Sequence, residues 1–172
     1  MPTANSKETP LIRAGRSDEV ARFQAIDKAA RSRYAALPGL EFAAQAPAIA
    51  AERFDASEIW VAEVDETVVG FVLLQSHGNT IYLANISVVL EASGHGIGKM
   101  LVTHAISRAT ATGANAVTLA TFWAPPWNGP WFRRQGFTPM PESYIGPMLQ
   151  AILDRHSRSL DMSTRETLWH PT

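Results

Sequence analysis

Three glycines alternate with His95 and Ile97 at positions 94, 96 and 98, and Lys99 follows them. Glycine has no Cβ, so closely spaced glycines let successive backbone N–H groups turn toward one point. If a helix begins there, its unpaired N–H groups and partial positive charge add to the same focus, and phosphate oxygens become the natural ligand. The neighbourhood supports an anion: from Ala92 to Pro141 there is no Asp or Glu, while Lys99, Arg108, Arg133 and Arg134 fall inside that stretch. Two common phosphate motifs do not fit. A P-loop requires Gly-Lys-Ser/Thr after a four-residue gap, which is absent. A dinucleotide fingerprint requires a third glycine where Lys99 stands, and an acidic ribose ligand about 20 residues further on, where there is no acid.

Other residues capable of chemistry are scattered. There is no cysteine, which excludes disulfides, thiolate metal sites and cysteine nucleophiles. His77 and Tyr82 fall on or near a strand and read as a turn histidine and a packed tyrosine; His104 falls on a helix. His95, inside the glycine run, reads as a phosphate donor. No His/Asp/Glu grouping has metal-ligand spacing, so no metal is expected. Trp123, Trp127 and Trp131 recur at four-residue intervals, but Pro125-Pro126 prevents a continuous helix. They suit either the wall of an apolar pocket or packing against the final strands.

The elements that must position these residues follow from pattern. Residues 10–14 read as a strand, and Ser17-Asp18-Glu19 opens a helix that runs to the stop at Pro38-Gly39. An alanine-rich helix is expected over 44–54 and strands over 58–64 and 68–75, joined by a turn at 65–67. A strand over 80–89 leads into the glycine run, and a helix over 96–112 closes at Gly113. A strand over 115–122, a short helix near 129–135, a helix near 147–159 and a terminal strand near 164–169 complete the chain. The order gives an α/β (α+β) fold with a mixed sheet.

At 172 residues, with 46% hydrophobic and 18% charged content, the chain suits one soluble domain over 10–172 behind a flexible tail over 1–9. A net charge of −1 implies no nucleic-acid partner. No apolar run approaches the ~20 residues that span a bilayer, so no membrane association is expected and the cytoplasm is the default compartment.

The run Ile86-Ser87-Val88, followed by Ser93-Gly94-His95-Gly96-Ile97-Gly98-Lys99, resembles the acetyl-CoA motif of the GNAT superfamily of N-acetyltransferases. Downstream, Asn128-Gly129-Pro130-Trp131-Phe132 through Gly136-Phe137 looks like that family's Asn-initiated helix ending in Gly-Phe. The resemblance implies a single-domain fold with a mostly antiparallel sheet flanked by helices. It implies acetyl-CoA as co-substrate, with backbone groups of Ile86, Ser87 and Val88 along the acyl-pantetheine arm. Ser93, Gly94, His95, Gly96, Ile97, Gly98 and Lys99 would lie around the pyrophosphate, and Asn128 beside the pantetheine. It also implies a primary amine of a small molecule or amino-acid-like acceptor attacking the thioester directly in a ternary complex. The opening helices, with Arg31, Arg33, Tyr34 and Phe42, would form the acceptor side. Homodimers are frequent in the family.

Three positions depart from its pattern. Ser93 replaces the usual Gln or Arg. Phe132 stands where a tyrosine often protonates the thiolate, and has no proton to give. Asn85 occupies the site of a glutamate that draws a proton from the amine. It is the candidate catalytic position, yet an amide is no base at neutral pH, so the general base is unassigned. Three readings stay open: an active N-acetyltransferase, a catalytically weak acyl-CoA-binding or regulatory module, and an anion-binding domain unrelated to CoA, which the downstream motif disfavours.

Overall fold

The computed structural model describes residues 9–172. The tail expected over 1–9 lies outside the described residues apart from Thr9. In chain order the elements are β1 (Leu11–Ala14), α1 (Val20–Arg31), α2 (Glu41–Gln45), α3 (Ala51–Asp55), β2 (Glu58–Val64), β3 (Thr67–His77) and β4 (Thr80–Val88). There follow α4 (Ile97–Ala111), β5 (Ala116–Phe122), α5 (Gly129–Arg134), β6 (Thr138–Pro139), α6 (Pro147–Ser157) and β7 (Arg165–Pro171). The strands form one seven-stranded sheet in the order β1-β2-β3-β4-β5-β7-β6. β1 pairs antiparallel with β2, and β7 pairs antiparallel with both β5 and β6, whereas β4 and β5 are parallel. The expected mixed, mostly antiparallel sheet flanked by helices is the observed fold. Among the described residues no helix is long and apolar enough to cross a membrane.

The described residues fall into two compact units. The first takes the chain up to Leu73 together with Asn85–Leu101, and the second takes Leu74–Ala84 with Val102–Thr172.

In the first unit, Phe23 of α1, Phe54 of α3 and Phe71 of β3 meet with ring centroids 5.3–6.0 Å apart, all within the buried core. Each aromatic removes a large apolar area from water, which is why the apolar positions of α1 face the sheet. Arg22 adds a polar tie, donating from Nε and Nη2 to the Val68 carbonyl. β2 and β3 are joined by Asp65 and Glu66, both at positive φ (49° and 60°), the geometry that matches strand twist in a two-residue hairpin.

In the second unit, Tyr82, Met140, Leu149 and Ile152 form a buried cluster against Trp169, Ile145 and Leu153. α6 is thereby held on the face of β4 and β7 that carries Tyr82 and Trp169.

Two helical expectations need correction. The helix expected to run from Ser17 to Leu37 is α1 alone as a regular helix, with tight 3-10 turns at Ser17–Glu19 and Ser32–Ala36. The helix expected over 44–54 is two short helices, because Pro47 disfavours the helical conformation in the residue before it. Ala46 is accordingly extended, with ψ 147°. β6, absent from the sequence reading, is two residues long and pairs with Trp169 and Leu168 of β7.

Candidate active site

The glycine run lies between β4 and α4, within the first unit. Gly94 and Gly96 adopt φ of +77° and +82°, and a Cβ at either would meet no atom within 4 Å. The glycines are therefore required by backbone conformation, and the space beside them is open. Gly98 belongs to the first turn of α4. Ile97 is the anchor, its side chain 3% exposed. Ser93 N–H donates to the Leu90 carbonyl, and Met100 N–H donates to the Gly96 carbonyl as α4 begins. The Ser93 hydroxyl donates to the Val89 carbonyl at 3.2 Å, so its proton is already used. His95 is exposed and Nδ1 lies 3.0 Å from the Ser93 carbonyl, leaving Nε2 outward.

Behind the loop, β3 approaches closely at Gly70. A Cβ there would sit 3.0 Å from the Ser87 carbonyl, 3.1 Å from Val88 and 3.3 Å from Ile97. Gly70 thus sets the distance between β3 and the β4–α4 junction.

Alternate residues of a strand share a face, so Asn85 and Ser87 project together. They meet Asp27 of α1, which is 1% exposed. Asn85 Nδ2 donates to Asp27 Oδ1 at 3.4 Å, and Ser87 Oγ lies 3.2 Å from the same oxygen and 2.9 Å from Asn85 Oδ1. The hydroxyl's single proton serves one of these two acceptors. Asp27 Oδ2 accepts from Arg31 Nε at 2.8 Å, one helical turn on, so the buried charge is balanced. Arg31 also donates to the carbonyls of Ala43, Ala46 and Pro47. One guanidinium therefore anchors both the carboxylate and the irregular chain between α2 and α3.

The second unit carries the downstream motif. Asn128 starts α5, its carbonyl accepting from Phe132 N–H at 3.0 Å. Phe132 is 4% exposed and lies edge-on to Trp131 and Phe137, at centroid distances of 5.0 and 5.6 Å. Arg133 forms a two-armed ion pair with Glu166 of β7. Trp123 is 53% exposed, its Nε1 donating to the Ser163 carbonyl, so it is not a core residue. His77 stacks on Tyr82 at 5.2 Å, and burial, then Arg155, holds its pKa below the usual imidazole value. No group of three or more His, Cys, Asp or Glu able to hold a metal comes together among the described residues.

Residues 55–139 match the model of the acetyltransferase (GNAT) domain. The chain carries a GNAT acetyltransferase domain. Its fold is similar to that of PaiA N-acetyltransferase from Thermoplasma acidophilum in complex with coenzyme A (TM-score 0.71, 13% identity, 96% of this chain and 100% of that one). It is also similar to N-acetylglutamate synthase from Neisseria gonorrhoeae, complexed with coenzyme A and N-acetyl-glutamate (TM-score 0.69, 17% identity, 96% of this chain and 36% of that one). A third such fold is the ribosomal-protein-S18-alanine N-acetyltransferase of Escherichia coli (TM-score 0.67, 13% identity, 95% and 94%). At these identities the likeness speaks for the fold.

In this GNAT domain, the structure places Ile86, Ser87, Val88 and Ser93 to Lys99 in one unit, as a strand end, a turn and the first turn of α4. Asn128 and Phe132 belong to the other unit. Sequence reading missed Asp27, because an aspartate on an amphipathic helix reads as a solvated residue until the fold shows it buried. The signal available was its spacing. Asp27 follows Phe23 by four and Ile26 by one, on the apolar side of α1, and Arg31 lies four residues further.

Proposed function

We propose that the chain transfers an acetyl group from acetyl-CoA to a primary amine of a small molecule or amino-acid-like acceptor, by direct attack in a ternary complex. One observation carries the reading of the loop: left-handed Gly94 and Gly96 lead the chain into the start of a fifteen-residue helix, whose first N–H groups have no partner within the helix itself. Such groups are costly to leave unpaired unless water or a ligand takes them. Gly94 and Gly96, with nothing within 4 Å of a Cβ, keep the approach open for a pyrophosphate. Ser93 spends both its N–H and its hydroxyl proton within the chain, on the carbonyls of Leu90 and Val89. The β4–β5 register takes in Ile81 and Tyr82, and Ile86, Ser87 and Val88 lie further along β4. Their backbone groups on that edge suit hydrogen bonds to the amides of an extended pantetheine arm, in the manner of an added strand.

The protein's chemical share is alignment, stabilisation of an oxyanion and removal of a proton. Alignment alone supplies effective molarities of about 10⁵ M or more. A backbone N–H near Ile86 would serve the oxyanion. Phe132, buried beside Trp131 and Phe137, has no proton to give.

A second reading, a weak acyl-CoA-binding module, is favoured by Asn85 and Phe132, neither of which is an acid or base. Titration calorimetry with acetyl-CoA and thiol release with a panel of amines test both. Saturable heat with thiol release is expected; saturable heat without release for any amine selects the binding module, and no heat rejects both.

A further inference from the structure

β4 carries an amide and not a carboxylate at position 85, and a carboxylate from α1 lies 3.4 Å from that amide. Asp27 is buried, touches both side chains that β4 projects there, and has its charge balanced by Arg31. We propose that Asp27 receives the acceptor amine's proton through the Ser87 hydroxyl, with Asn85 fixing the orientation of both; this rests on the acetyltransfer reading above.

The three contacts define the relay. Asp27 Oδ1 accepts from Asn85 Nδ2 at 3.4 Å, and the Ser87 hydroxyl, 2.9 Å from Asn85 Oδ1 and 3.2 Å from Asp27 Oδ1, turns its one proton to the carboxylate in the relay. A hydroxyl donating to a carboxylate becomes a better acceptor at its own lone pairs, since hydrogen bonds in a chain polarise one another. When the amine nitrogen attacks the thioester carbon it becomes positively charged and sheds its proton to a weak base. The N–H bond breaks, its electron pair stays on nitrogen, and an O–H bond forms at Ser87 Oγ. The original Ser87 proton passes to Asp27 Oδ1. The C–S pair leaves with the thiolate, which is protonated from water. After the amide departs, Asp27 returns its proton through Ser87 to water.

On α1 the partner of Asp27 is Arg31, whose other donors go to carbonyls of the 43–47 segment; β4 offers Asn85 and Ser87, neither of which titrates in the working range. Asp27 acts through Ser87, so it is a positioning and proton-accepting residue rather than one that touches substrate.

The test compares wild type with Asp27→Asn and Ser87→Ala, measuring thiol release across pH together with acetyl-CoA affinity by calorimetry. Loss of kcat by about 10²–10⁴-fold is expected in each, the span typical of a removed general base. Acetyl-CoA affinity should stay within about twofold, and the acid limb of the wild-type pH profile should disappear. Ser87→Ala keeps the Asp27–Arg31 pair, so it decides the matter if Asp27→Asn fails to fold. An active wild type with equally active variants, or variants keeping the wild-type acid limb, overturns the proposal alone. A wild type that binds acetyl-CoA but releases thiol with no amine overturns the acetyltransfer reading and the relay with it.

Discussion

Replacing Gly96 separates the two requirements placed on the phosphate loop. Gly96 sits at φ +82° with no atom within 4 Å of a Cβ. Gly96→Ala thus meets strain without a clash, and a residue forced into left-handed backbone costs roughly 1–2 kcal/mol. The variant should lose about that much stability in a denaturant melt and lose less than tenfold in CoA affinity. Gly96→Glu carries the same strain and adds a carboxylate beside the ligand's diphosphate. Two unit charges about 4 Å apart repel by about 1 kcal/mol in bulk water and about 4 kcal/mol at an effective dielectric of 20. This loop is exposed, so an intermediate value of about 2–3 kcal/mol is appropriate, which is on the order of 10²-fold in Kd. The excess defect of Glu over Ala should shrink as salt is raised, because the screening length falls from about 10 Å at 0.1 M to about 3 Å at 1 M. Calorimetry with CoA at two salt concentrations, alongside far-ultraviolet circular dichroism to establish folding, reads both quantities. A folded Gly96→Glu protein with wild-type affinity would refute the placement of phosphate at these N–H groups. An Ala variant as stable as wild type would refute the left-handed geometry.

Other expectations follow from single contacts. Gly70→Ala puts a methyl 3.0 Å from the Ser87 carbonyl and 3.1 Å from Val88, so chemical denaturation should show a loss of about 1–3 kcal/mol, with CoA affinity also reduced. Gly129→Ala places its methyl on the Glu166 carboxylate, so the Arg133–Glu166 pair should break and the melting temperature should fall; an unchanged melt would mean that Glu166 moves freely. Glu66→Gly, at φ 60°, should stabilise the β2–β3 hairpin by about 1 kcal/mol in the same assay. Hydrogen bonds from the Arg13 side chain, and then from the Arg16 backbone, hold the Glu19 pKa below its ordinary value. A carboxylate depressed in the folded state contributes stability above its unfolded pKa of about 4.3 and loses it as pH falls through the folded value. Glu19→Gln should therefore be less stable than wild type at neutral pH, with the gap closing in acid; a constant gap would refute the linkage.

The legible parts of the chain were those dictated by local rules. Strands β2 to β5 and helix α4 announced themselves by periodicity and by turn residues, and the glycine run is visible because glycine takes the left-handed backbone of positions 94 and 96 without strain. Boundaries failed where a local rule was overlooked: Pro47 splits a helix that alanine content alone suggested, and Ser32–Ala36 tightens into 3-10 turns ahead of the break. β6 was invisible because two residues, Thr138 and Pro139, carry no period; pairing with β7 creates that strand. The site was half legible. Ser93 offered a hydroxyl on paper, but Val89 takes its proton, and Phe132 is a core residue before it is anything else. Asp27 could be found only after folding, since a carboxylate 58 residues from Asn85 becomes its neighbour through tertiary packing.

Arg31 joins matters that would otherwise vary separately. Its Nε serves Asp27, while Nη1 and Nη2 gather the carbonyls of Ala43, Ala46 and Pro47 at 2.8–3.3 Å. A lysine could not hold all four, having one compact ammonium in place of a planar fork. Whatever shape the 43–47 loop takes in descendants of this sequence, its course is tethered to the same cation that pairs with the buried Asp27. Lengthening that loop would thus disturb an electrostatic balance inside α1, and a change of this kind should require paired substitutions rather than single ones.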